Sequence, residues 1–100
     1  MNKLIAILAI TLTTSVYADT CDTLSDISSG VMTMRQHGVT MKKAINTFND
    51  KDYPILGKYT RIEIKRAYKQ PRFSTASYQN NAILDFENEA YSICLEQLDK

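Results

Sequence analysis

Two cysteines stand far apart in the chain, both after an apolar N-terminal run, and that placement limits the fold more than any other feature. Cys21 comes just after the run, Cys94 lies in the last long helical pattern, and the chain has no third cysteine. Whether the two pair depends on compartment, since disulfides persist where the surroundings are oxidising. The first residues bear on that. Lys3 supplies a short positive region, residues 4–12 an apolar one, and Val16-Tyr17-Ala18 puts small residues at the two positions, 16 and 18, that a signal peptidase reads. The apolar run is too short to remain in a bilayer as a spanning helix, and Thr20 before Cys21 does not suit lipid attachment. The sequence therefore predicts a signal peptide over residues 1–18 and one domain over 19–100, periplasmic or secreted. In that setting the one intramolecular pairing is Cys21–Cys94, the alternative being two separate or intermolecular thiols. Chain entropy assigns so long a loop about 4 kcal/mol, which matters for a domain with so small a core.

Periodicity supplies the elements. Ile83, Phe86, Ala90, Ile93 and Cys94 recur at three- and four-residue steps, placing them on one face of a helix over residues 77–98. A second line, Leu84, Tyr91, Leu95 and Leu98, lies roughly 90° around. Both lines are buried if this helix is central. A first helix over about 21–35 carries Leu24, Ile27, Val31 and Met34. Gly30 within it either costs about 1 kcal/mol relative to Ala or admits a close neighbour. Gly38 is the natural stop. Thr40 suits the N-cap of a short second helix with Met41, Ala44, Ile45 and Phe48 on its buried side. Residues 49–52 read as a turn, and Pro54 opens a third helix that ends before Pro71. Strand-like alternation is nearly absent, so the expected fold is an all-α, four-helix domain whose first and last helices share the disulfide.

Candidate chemistry is thin. One histidine, His37, and two cysteines already assigned to a disulfide leave no metal set. No serine sits in a Gly-x-Ser-x-Gly turn, and the three glycines are scattered, so neither a nucleophile elbow nor a phosphate loop is present. The expectation is a protein without enzymatic activity, metal or cofactor. Charge is sorted by region. Without Lys3 the domain has 11 basic and 11 acidic residues, yet nine of the bases lie between Lys42 and Arg72. On the third helix Lys58, Arg61, Lys65 and Lys69 fall within about 80° of one another, with Tyr68 at their edge. This stripe suits an anionic partner, or else is a solvated face balanced by the acidic helices. Nucleic acid does not fit an exported chain, and any membrane contact is peripheral. Arg35, Gln36 and His37 mark a possible pocket at the end of the first helix. Arg35 and Arg66 lie near apolar faces and call for partners, Glu87 or Glu89 being available.

The order Cys21, Arg35-Gln36-x-Gly38, Ala67-Tyr68-x-x-Pro71, Phe86, Cys94 resembles a group of small secreted proteins of Gram-negative bacteria such as Acinetobacter and of their phages. That resemblance implies export, a disulfide between the ends and a helical domain, and brings no catalytic residue. A looser likeness, by size and class, is to periplasmic acid-stress chaperones. The resulting expectation is an interaction protein that binds an envelope or foreign (phage) protein, as an inhibitor or exclusion factor. An acid-stress chaperone is the alternative.

Overall fold

The computed structural model describes residues 20–48 and 54–98. The expected signal peptide and the turn at 49–52 lie outside the described residues. Four helices and no strand are present among them: α1 over residues 20–36, α2 Met41–Thr47, α3 Pro54–Ala67 and α4 Ala76–Leu98.

Local chemistry fixes the ends of these helices. Gly38 takes φ +82, and its N–H reaches Arg35 O while the Val39 N–H reaches Met34 O. This pair of bonds closes the last turn of α1 and needs a residue that tolerates the left-handed region. A Cβ at Gly38 would also meet the Arg72 guanidinium at 2.9 Å. Thr40, extended at φ −70 and ψ 152, caps α2 by accepting from Lys43 N, as its sequence position predicts. At α4 the cap is Thr75, whose hydroxyl faces Tyr78 N at 3.4 Å.

Helices α1 and α3 run parallel. Hydrogen bonds from Tyr59 to Leu24, Ser28 to Glu63, Arg35 to Gln70 and Gln36 to Pro71 all join residues 35 apart. Such an arrangement needs a crossover, and α2 lies within it. Helix α4 returns antiparallel, so that Cys94 meets Cys21 with 5.6 Å between their Cα atoms. Val31, Met32, Ala44, Ile64, Ala67 and Phe86 form the buried core.

The buried side of α1 differs from the apolar stripe read in its sequence. Cys21, Ser25, Ser28, Met32 and Gln36 are the line turned fully inward, with Val31 beside it, while Leu24, Ile27 and Met34 are half-buried. Small side chains let α3 come close. Their hydroxyls bond back to Asp22 O and Leu24 O, which removes most of the cost of burying them. On α3 the inward residues are again mostly small or polar: Gly57, Thr60, Glu63, Ile64 and Ala67. Gly30 has no atom within 4 Å of a would-be Cβ, so it does not serve a close helix contact. The second line of α4 is not buried as expected: Leu84 is 55% exposed and Leu95 38%. Helix α4 covers its neighbours on one side only. Met41 on α2 is likewise exposed, leaving Ala44 as that helix's buried residue.

Gln36 locks the end of α1 to the segment between α3 and α4. Its amide donates to Pro71 O at 2.9 Å and accepts from Phe73 N at 2.8 Å, and its backbone carbonyl accepts from Arg72 Nε. Gln36→Ala leaves the Pro71 carbonyl and the Phe73 N–H without their partner and is expected to cost about 2 kcal/mol, read as a fall in the urea midpoint. Replacing both cysteines by serine is expected to remove about 4 kcal/mol. An unchanged midpoint in that variant would show that packing alone holds the termini together.

Candidate functional site

An open groove of about 460 Å³ lies between α3 and the C-terminal half of α4, closed at its base by the start of α1. Leu24, Tyr59, Ile62, Ala90, Ile93 and Leu98 line it, and it is almost wholly apolar. The residues at its mouth are what make it accessible. Ile62 on α3 is 49% exposed and Ile93 on α4 is 43% exposed. Of these two isoleucines, sequence periodicity assigns Ile93 to a buried helix face. The structure leaves them facing one another across open space, because α1 fills only the deeper side between the two helices.

A polar cluster sits on the groove's inner wall. Glu63 is 2% exposed, and its carboxylate accepts from the Ser28 hydroxyl at 2.6 Å, the Tyr59 hydroxyl at 3.2 Å and the Arg66 guanidinium at 2.5 Å. Arg66 also reaches Glu89 at 3.2 Å and lies over the Phe86 ring at 4.7 Å. The Ser28 and Tyr59 hydroxyls each also lie within reach of Leu24 O, so one proton is shared between two acceptors at each. Glu89 is one of the two partners that sequence offers Arg66; the deeper contact with Glu63 is not among them. Arg66 is thus shared between two carboxyl groups, Glu63 and Glu89.

Burial raises the Tyr59 phenol above its usual 10.0; the Ser28 hydrogen bond opposes this and the nearby Glu63 charge adds to it. Tyr68 is raised by burial, with the Arg35 charge opposing. Tyr91 is raised first by the charge of Asp22.

The other residues singled out by sequence fall into two groups. Lys58, Arg61 and Lys65 are exposed on the outer side of α3, and Lys69, expected on the same helix, is exposed in the turn that follows it. Tyr68 does not join them. Its hydroxyl donates to Val39 O at 2.5 Å and its ring lies 5.2 Å beneath the Arg35 guanidinium, so it fastens α3 to the turn after α1. Arg35 donates to Gln70 O and thus finds a carbonyl and a ring in place of the expected carboxylate. Gln36 is fully buried and His37 exposed. The segment around Gln70 to Phe73 therefore occupies the place where Arg35, Gln36 and His37 would frame a pocket. No group of three or more potential metal-ligating side chains occurs among the described residues, and no described helix is long and apolar enough to cross a membrane.

No protein-family model matches the chain, and neither a curated protein nor a solved structure is similar to it.

A raised tyrosine pKa favours the folded state while the phenol is protonated. Tyr59 thus contributes stability that is whole below pH 10.0 and is lost as the pH rises through its higher folded value. Stability measured from pH 8 upward is expected to fall above about pH 10, partly through Tyr68 and Tyr91. Tyr59→Phe is expected to cost about 1 kcal/mol at neutral pH through its lost hydrogen bonds and to shallow the alkaline slope. An identical slope would remove Tyr59 from this account.

Proposed function

We propose that this chain is an exported, non-enzymatic interaction protein. It receives a helical surface of another protein in the groove between α3 and α4. An envelope protein or a phage protein is the partner class, and inhibition or exclusion is the consequence of binding it outside the cytoplasm.

The observation that carries this reading is the exposure of Ile62 and Ile93 on the two sides of an apolar groove. Apolar side chains held half in water at a concave site are stabilised by a partner that covers them. A ridge of apolar side chains at three- and four-residue spacing fits a groove between two helices, the mode by which amphipathic helices are commonly held. Around the groove, lysines and an arginine on α3 and carboxylates on α4 give orientation and encounter rate more than affinity. The polar cluster beside the groove supports the same reading. Ser28, Tyr59, Glu63 and Arg66 satisfy one another, and so serve to hold the wall in place.

A photo-reactive residue substituted at Ile93 is expected to crosslink a protein from an envelope extract or phage lysate, and the same residue at the distant His37 is not. Ile62→Asp should abolish the crosslink, and reversing Lys58, Arg61 and Lys65 should weaken it about tenfold, the loss of roughly 1.4 kcal/mol. Equal labelling from positions 37 and 93 would defeat the proposal.

A further inference from the structure

The two sides of the groove carry the same pattern with opposite charge. On α3, Ile62 is preceded four residues earlier by Lys58 and followed three later by Lys65; on α4, Ile93 stands in the same relation to Glu89 and Glu96. At 100° per residue, each flanking charge lies about 40° or 60° from its isoleucine. Tyr59, Glu63 and Arg66 lie to the groove side of Ile62, and Ala90, Cys94 and Gln97 to the groove side of Ile93. Lys58, Lys65 and Glu96 therefore lie on the outer shoulders of the two helices, while Glu89, on the same flank of α4 as Glu96, also reaches the groove-side Arg66 at 3.2 Å. One shoulder is basic and the other acidic.

Their heights also agree. The Arg66–Glu89 contact sets residue 66 level with 89. Because α3 and α4 are antiparallel, residue 58 is then level with about 96 or 97, and 65 with 89 or 90. Lys58, Lys65 and Glu96 make no ion pair among the described residues.

We propose that this face binds a second copy of the chain through a two-fold axis running along the groove, parallel to α3 and α4. Such an axis leaves every height unchanged and exchanges left for right. It sets Lys58 against the partner's Glu96, Lys65 against the partner's Glu89, and Ile62 against the partner's Ile93, with each contact made twice. The alternative axis, across the groove, would oppose lysine to lysine and is disfavoured by like charge. The incoming lysine also meets a carboxylate with an incomplete partner: Glu89 has Arg66, which it shares with Glu63, and Lys65 of the second copy supplies a partner of its own. The face is two helices wide and, along the 14 residues of α3, about 21 Å long. This places it toward the small end of specific interfaces, so the pair forms and separates with concentration.

The inference rests on the groove being a protein-binding face, and its test separates the two claims. Sedimentation equilibrium of the oxidised, purified chain from about 1 µM to about 1 mM is expected to show a monomer–dimer equilibrium that weakens with added salt. Lys58→Glu and Glu96→Lys, each alone, should weaken self-association about tenfold, since each opposes like charges twice. An equimolar mixture of the two variants should restore dimer, because each supplies the charge the other lacks. Both positions are exposed, so circular dichroism should be unchanged. A monomer at every concentration, or a mixture no more associated than its components, overturns the dimer. If crosslinking from position 93 then still captures a different protein, the groove keeps its role and only the second copy is excluded as its occupant.

Discussion

The parallel contact of α1 with α3 is the constraint from which the other placements follow. A constant offset of 35 residues joins the two helices from Tyr59 and Leu24 at one end to Gln36 and Pro71 at the other. Side chains of serine, threonine and glycine size along the seam allow that approach, and the buried hydroxyls are met by carbonyls one turn earlier or by Glu63. Parallel neighbours cannot be joined by a tight turn. The chain must cross from one end of the pair to the other, and α2 occupies that path. Helix α4 then runs back along both. It packs on them along one side only, so its outer line with Leu84 and Leu95 stays exposed and a groove is left beside α3.

Much of this architecture was legible, and the parts that were not share a cause. Gly38 and Thr40 act through backbone chemistry that a sequence states directly, a positive φ and a capping hydroxyl, and both sit where expected. The Cys21–Cys94 pairing needs only two cysteines and an oxidising destination. The inward face of α1 was missed because apolar periodicity ranks Leu24 and Met34 above Ser25, Ser28 and Gln36. Burial here is chosen by size and by hydrogen-bond saturation as well as by hydropathy. Glu63 escaped notice for the same reason, although Arg66 one turn later was a usable sign of a paired carboxylate.

The groove illustrates a different limit. Ile93 looks like a core residue because a helix viewed alone cannot say which of its neighbours is missing. The matching spacing of Lys58–Ile62–Lys65 and Glu89–Ile93–Glu96 is visible in the chain itself. It acquires meaning only once α3 and α4 are known to be adjacent and antiparallel, since that relation brings the two motifs to equal height. Tyr68 shows the converse: sequence placed it on a basic surface, and the position of Val39 drew it inward.

The long offset along the α1–α3 seam has a consequence for the order of events in time. None of its contacts forms within one helix and its immediate successor, so the N-terminal helix lacks its main support until residues near 71 are present. Joining the sulfur atoms of Cys21 and Cys94 closes the chain between them into a ring that contains both sides of the seam, which narrows the conformations an unfolded chain can explore. The cross-link thus restrains the unfolded chain as well as the finished domain.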